Sequence, residues 1–300
     1  MPQRAFEPTI SLYQCSVCGA ENDHWTPVCP GCARRSTMGL PKKHKAAPPK
    51  APGLVQTLDD AVELSGRRID TGIPGLNRVF GKNRNAPGPY GLHVPSSVVF
   101  GGAQGCGKTT LLMMMLALMR EREKVLITTE QILSEVKSNL VDLGLGDYAG
   151  EIPAYSLLDQ DNTLDAAVEI LAKIKPRVVV IDSVTELRDP RSSVRDRFGQ
   201  MVAMIKHFKA DAEKHKRAIV MTAHLTKSNT VAGKREQLHA VSTVMMFERD
   251  RSNPSLRVLH CPDKNRFGDT TQKAYFEMGA QGLTEVSPPR ETDASEPATA

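Results

Sequence analysis

The chain has 300 residues, of which 40% are hydrophobic and 24% charged, with a formal net charge of +5. That length accommodates one substantial α/β domain and a small accessory module. No apolar run approaches the ~20 residues needed to cross a bilayer, and the opening Met-Pro-Gln-Arg lacks the apolar core of a secretory signal, so a soluble, cytoplasmic protein with no membrane partner is expected. A mildly basic chain is compatible with a polyanionic partner without requiring one.

Four of the six cysteines lie between Cys15 and Cys32, as Cys15-Ser16-Val17-Cys18 and Cys29-Pro30-Gly31-Cys32. Clustered CxxC pairs in a cytosolic chain point to a metal and not to disulfides. Four thiolates at this spacing close a tetrahedral Zn²⁺ site with no open position, so the metal is structural. A module with so little core takes its folding energy from the metal. It is expected to fill residues 1–37 as a zinc ribbon. Residues 38–57 follow as a basic linker, whose run Pro41-Lys42-Lys43-His44-Lys45-Ala46-Ala47-Pro48-Pro49-Lys50 is too poor in apolar residues to fold.

From 58 to 286, β-branched runs alternate with helical periodicity, which predicts a parallel α/β sheet. The strands are Ser97-Val98-Val99-Phe100, Lys124-Val125-Leu126-Ile127, Arg177-Val178-Val179-Val180-Ile181 and Ala218-Ile219-Val220-Met221. Runs apolar on both faces belong inside a sheet covered by helices on both sides, and ligands collect at the carboxyl ends of such strands. Residues 287–300, rich in Pro, Glu, Ser and Ala, read as a disordered tail.

The first of those strands runs into Gly102-Ala103-Gln104-Gly105-Cys106-Gly107-Lys108-Thr109. In a GxxxxGK[ST] loop the glycines let successive N–H groups turn inward around phosphates. Lys108 supplies charge to the β and γ phosphates of a nucleoside triphosphate, here ATP, and the Thr109 hydroxyl ligates Mg²⁺. A helix from Thr110 to about Arg120 aims its positive end at the same anion. Cys106 is read as a small filler, and Met113-Met114-Met115 as core packing.

Asp182, after four β-branched residues, fits the acid that holds Mg²⁺ through water, the other reading being a strand-end cap. Glu130 has two readings, a general base that orients and deprotonates the attacking water or a charge at the N-terminus of the helix that follows. His224 ends the next strand, either as a sensor of the γ phosphate or as a polar lid residue.

These pieces, in this order, resemble the RadA/Sms family of bacterial DNA-repair ATPases, in which a four-cysteine zinc ribbon precedes a RecA-like P-loop NTPase core. The resemblance covers residues 13–286. It includes Arg68-Ile69-Asp70-Thr71-Gly72-Ile73-Pro74-Gly75-Leu76-Asn77-Arg78-Val79 and the family's KNRFG motif, Lys264-Asn265-Arg266-Phe267-Gly268. It implies that Lys264 and Arg266 reach across a subunit interface to a neighbour's nucleotide in a ring, as in hexameric relatives. By itself a basic pentapeptide reads as a surface turn. The resemblance also implies that Ala223-His224-Leu225-Thr226-Lys227, with Ala232-Gly233-Lys234 and His239 beyond it, leads into a DNA-binding loop. Loops 188–197 and 227–235 are the candidate contacts to DNA phosphates. The chain departs from the family in ending near where the Lon-protease-like domain begins, in an extra stretch around residues 81–91, in Ser242 standing for an Asp, and in a shortened segment after Asp182.

The leading expectation is therefore a DNA-dependent ATP hydrolase of repair, recombination or replication. It would act on single-stranded DNA by strand separation (helicase activity) or branch migration, with replication or recombination proteins as partners. The alternative is a regulatory ATPase that recruits partners through its zinc ribbon without motor activity, since the fold alone does not decide. A nuclease or ligase accessory is a third reading, and no nuclease carboxylate cluster supports it.

Overall fold

A computed structural model describes residues 13–18, 20–22, 26–35, 67–82, 88–194, 196–224, 241–250, 252–279 and 281–289. The expected linker, the candidate loop 227–235, His239 and the tail beyond 289 lie outside the described residues. Contacts divide the chain into two units, residues 1–64 and 65–300.

In the first unit, β1 (Tyr13–Gln14) pairs antiparallel with β2 (Glu21–Asn22). Cys15 and Cys29 are buried, and Tyr13, Ala20 and Cys32 pack on them. That is a core of thiols, with almost no hydrocarbon to stabilise it.

The second unit opens with β3 (Arg67–Ile69), helix α1 (Pro74–Phe80) and β4 (Leu92–Val94), and β3 and β4 pair antiparallel. The P-loop strand β5 (Ser96–Gly101) leads into helix α2 (Lys108–Leu118), then β6 (Lys124–Thr128) and α3 (Leu133–Asp142). Next come β7 (Ala154–Ser156), α4 (Leu164–Ile174), β8 (Val178–Asp182), α5 (Arg197–His215) and β9 (Ala218–Thr222). Four strands close the unit: β10 (Thr243–Arg249), β11 (Leu256–His260), β12 (Lys273–Gly279) and β13 (Gly282–Val286).

Nine strands form one sheet in the order β13-β12-β11-β10-β5-β9-β8-β6-β7. The six from β10 to β7 are parallel, and β11, β12 and β13 extend the sheet antiparallel. The expected mostly parallel α/β sheet is thus present, with an antiparallel wing.

Strand side chains alternate between two separate apolar cores, as a pleat requires. Val98, Phe100, Leu126, Val178, Val180 and Val220 join one core with residues of α1, α2 and α3. Val99, Val125, Ile127, Val179, Ile181 and Ile219 join the other with α4 and α5. Helix α2 buries Leu111, Leu112, Met113, Met115 and Leu116, so the methionine run is core packing, as expected. At ~25 cal/mol per Å² of apolar surface removed from water, each such side chain contributes about 1.5–3 kcal/mol. The helix is pinned under the loop it must present. Among the described residues, no helix is long and apolar enough to cross a membrane.

Candidate nucleotide site and thiol cluster

The loop after β5 is shaped by close approach. Gly102 has φ 147°, and a Cβ there would lie 2.2 Å from the Phe247 carbonyl oxygen. Gly107 has φ 100°, and a Cβ there would meet Met278 Cε at 2.7 Å. At Gly102 both the backbone angle and the close approach of the β10 backbone require glycine, and at Gly107 the backbone angle does. Cys106 is 1% exposed and sits beneath the loop, which fits the small-filler reading. Burial pushes its thiol upward in pKa against the pull of Lys108.

Lys108 is buried at the start of α2, and its Nζ donates to the carbonyls of Gly102 and Ala103, each at 3.0 Å. The ammonium is thus held against the loop's own carbonyls. Ala103, Gln104 and Gly105 form the exposed rim of the same turn, and Thr110 continues the helix.

Thr109 Oγ1 donates to Asp182 Oδ2 at 2.8 Å, and Thr222 Oγ1 donates to Asp182 Oδ1 at 2.5 Å. Asp182 is 4% exposed at the end of β8. Burial pushes its carboxyl above the ordinary range, against the hydroxyls of Thr222 and Thr109. A buried carboxylate beside a hydroxyl offers the hard oxygen donors that Mg²⁺ takes. Thr222 carried no motif and went unread in the sequence.

One strand over, the Thr128 hydroxyl accepts from the Glu130 and Gln131 amides at 3.3 and 3.1 Å, which turns the chain outward at the end of β6. The Glu130 side chain meets His224, with Oε1 2.9 Å from Nε2. This bond holds the carboxyl of Glu130 below its usual range, against burial. The His224 amide in turn donates to Thr185 Oγ1 at 3.2 Å. The two residues each read in two ways from the sequence are therefore one hydrogen-bonded pair, beside Asp182 and Lys108.

Two arginines absent from the sequence reading also belong here. Arg249 donates to the Gly105 carbonyl at 2.8 Å, and Arg257 Nε donates to the Cys106 carbonyl at 3.0 Å. Nothing in the sequence placed them near the loop, because only the β10–β11 pairing brings them there.

The KNRFG residues do not adjoin this site. The Lys264 carbonyl accepts from the Val244 amide at 3.0 Å, and the Arg266 amide donates to the Ser242 carbonyl at 3.1 Å. Ser242 is bonded to Ser97 near the start of β5, so the motif lies at the amino end of the parallel strands and the P-loop at the carboxyl end. Three of its residues are structural anchors. Asn265 is buried and donates to the carbonyls of Val79 and Phe80. Phe267 stacks on His93 with ring centres 3.7 Å apart, and its carbonyl accepts from Arg68. At Gly268 a Cβ would lie 2.6 Å from the Phe80 carbonyl oxygen. Arg266 is exposed, and Lys264, near Arg266 and Lys209, has its ammonium pushed down in pKa chiefly by burial.

Candidate loop 188–197 is less free than its composition implied. Arg191 pairs with Asp165 at 2.8 Å and with Asp189 at 3.1 Å, and Arg197 pairs with Glu186 at 2.9 Å.

In the first unit, one sulfur from each of Cys15, Cys18, Cys29 and Cys32 lies within 4.8 Å of all the others. Cys15 Sγ is 3.8 Å from Cys32 Sγ, and Cys18 Sγ is 3.6 Å from Cys29 Sγ. Zn–S bonds of ~2.3 Å in a tetrahedron require sulfurs about 3.8 Å apart. The Val17 amide donates to Cys15 Sγ and the Gly31 amide to Cys29 Sγ, which shapes both knuckles. The donor set fits zinc.

No family model matches the chain. It is 32% identical over 294 residues to the DNA repair protein RadA of Listeria monocytogenes, spanning 93% of this chain and 60% of that protein. RadA of Bacillus subtilis is 30% identical over 299 residues, with 94% of this chain and 61% of the relative covered. The chain thus spans about 60% of the length of the relatives it matches. Among solved structures, the RadB recombinase superposes with a TM-score of 0.52 at 17% identity, covering 73% of this chain and 99% of RadB. The flagellar accessory protein FlaH of Methanocaldococcus jannaschii gives a TM-score of 0.54 at 15% identity, covering 74% and 99%. Those likenesses establish a RecA-like fold for the second unit's sheet and helices, and along nearly its whole sequence the chain is similar to the DNA repair protein RadA.

Proposed function

We propose that this chain is an ATP hydrolase of DNA repair or recombination that couples turnover to single-stranded DNA. The observation that carries the proposal is the meeting of Lys108, Thr109, Asp182 and Glu130 at the carboxyl ends of β5, β6 and β8. Relatives of 30–32% identity are named DNA repair protein RadA, which supports the choice of pathway.

In this reading residues 102–110 cradle the phosphates through their amides, and Lys108 turns from the carbonyls of Gly102 and Ala103 to the β and γ phosphates. Thr109 and Asp182 would hold Mg²⁺, which would neutralise charge on the phosphates. Glu130 stays ionised and takes a proton from the attacking water, while His224 orients it. Lys264 and Arg266 lie at the opposite end of the strands from their own P-loop. That supports a head-to-tail ring in which they serve a neighbour's nucleotide. The zinc module (1–37), basic linker (38–57) and ATPase domain (58–286) form the proposed organisation.

The test is the ATPase rate of zinc-loaded protein with and without single-stranded DNA, over a salt series. Stimulation that fades as salt rises fits contacts to DNA phosphates, and strand-displacement assays would then follow. A rate indifferent to DNA at low salt rejects the motor and leaves a regulatory ATPase that recruits partners.

A further inference from the structure

Arg249 and Arg257 face each other across the β10–β11 pair. Like charges directly opposite on an antiparallel pair are ordinarily unfavourable. Here both guanidiniums turn the same way. Arg249 donates to the Gly105 carbonyl at 2.8 Å, and Arg257, 5% exposed, donates through Nε to the Cys106 carbonyl at 3.0 Å. Arg257 Nη1 also donates to the carbonyls of Pro254 and Leu256, at 2.5 and 3.2 Å. Among the described residues, no carboxylate lies within ion-pair distance of either arginine. A buried cation held only by carbonyl dipoles, beside a second cation, is an unusual arrangement, since buried charges are ordinarily paired.

The carbonyls they grip belong to consecutive P-loop peptides. In a trans peptide the C=O of one residue and the N–H of the next point in opposite directions. A guanidinium fastened to the Cys106 oxygen therefore turns the Gly107 N–H away from the arginine, toward the mouth of the loop. Arg249 fastens the preceding peptide, from Gly105 to Cys106, whose N–H donates to the Ala103 carbonyl at 3.4 Å and so closes the turn. A hydrogen bond to the carbonyl also polarises the amide and strengthens its N–H as a donor. The unneutralised positive charge behind the loop is complementary to a polyphosphate in front of it.

We propose that Arg249 and Arg257 are positioning residues for the nucleotide, holding two successive P-loop peptides so that the loop keeps its turn and the Gly107 N–H faces the phosphate chain. The proposal rests on the nucleotide reading of the P-loop given above. The arginines touch the loop and not the reacting atoms, so their effect is on binding that ground state and transition state share. Such an effect raises KM and leaves kcat.

The experiment is calorimetric titration of the full zinc-loaded chain with MgADP and MgATP, with steady-state kinetics alongside. Arg257→Gln is expected to weaken both nucleotides about tenfold, the value of one charge-assisted hydrogen bond. Its KM rises by a similar factor, and kcat stays within about twofold. Arg249→Gln, whose side chain is exposed and tolerant of change, weakens both nucleotides severalfold, and Arg249→Lys recovers most of that loss. If Arg257→Gln fails to fold, the two Arg249 variants decide alone. Wild-type affinity in the folded glutamine variants, or a fall in kcat at unchanged affinity, overturns the positioning role while leaving the nucleotide site intact. A wild-type chain that binds no MgADP overturns the nucleotide reading itself, and this inference with it.

Discussion

The hydroxyl of Thr109 lies 2.8 Å from the carboxylate of Asp182, 73 positions further along the chain. The first residue stands at the start of α2 and the second at the end of β8, so the contact exists only because those elements pack. It puts a carboxylate in a place that folding disfavours. Burial raises the Asp182 pKa from its ordinary value of 3.8. A raised folded-state pKa means that the native state binds the proton more tightly than the unfolded chain. The associated stability is present at low pH and lost as pH rises through the folded value. At neutral pH the ionised carboxylate is thus a local cost that a bound cation offsets.

Asp182→Asn should therefore melt no lower than wild type at pH 7 without Mg²⁺. The gap should close as pH falls toward the ordinary carboxylate range. Added Mg²⁺ with nucleotide should raise the wild-type melting temperature more than the variant's, by the linkage of binding to stability. Turnover in the variant should be lost. Calorimetric melting from pH 4.5 to 8 checks this, and an asparagine variant clearly less stable than wild type at pH 7 would contradict the sign.

Glu130 is held below its usual pKa mainly by the hydrogen bond from His224, which favours its ionised form, the form a general base needs. Glu130→Gln should lower turnover by about 10²- to 10⁴-fold, the range of general-base catalysis, and leave MgATP affinity near wild type. His224→Ala should lower turnover less, since the base survives and only its orientation is lost. Single-turnover kinetics beside nucleotide titration separate the two effects. Loss of binding in Glu130→Gln would return the residue to a helix-terminal charge.

Lys108→Ala should abolish hydrolysis, and Arg266→Ala should abolish it for another reason. On the proposed function, the first variant lacks its own phosphate cation, whereas the second keeps an intact P-loop and lacks what it would give to a neighbour. Mixing the two inactive proteins should restore measurable turnover, because some interfaces then join a whole P-loop to a whole KNRFG turn. No recovery over a range of mixing ratios would argue against action between subunits.

The four thiols should bind one zinc ion per chain, seen by elemental analysis and by protection from thiol reagents. Chelation or Cys29→Ser should unfold the first unit, whose buried core is two of those cysteines, because metal binding supplies its folding free energy. Turnover without DNA should persist in the second unit, which has its own cores. Proteolysis of metal-free protein, read by mass spectrometry, would locate the change.

Much of this was legible in the sequence for a physical reason. Cys15, Cys18, Cys29 and Cys32 act within one short segment, and residues 102–109 act as one loop, so their spacing encodes their geometry directly. Buried parallel strands must be apolar on both faces, which marked β5, β6, β8 and β9 and placed Asp182 and Glu130 at their ends. Nothing local told whether Glu130 and His224 were catalytic pieces or surface polar groups. Their partnership spans 94 positions and depends on the order β9-β8-β6 in the sheet.

The tertiary structure alone decided the rest. It divided KNRFG into anchors (Asn265, Phe267, Gly268) and two cations, which a pentapeptide of basic and polar residues does not disclose. It brought Thr222 to Asp182, and it turned Arg249 and Arg257 of the antiparallel wing against the P-loop. Local chemistry is written in local sequence, whereas contacts between strands distant in the chain come from register and strand order, which only packing of the whole sheet determines.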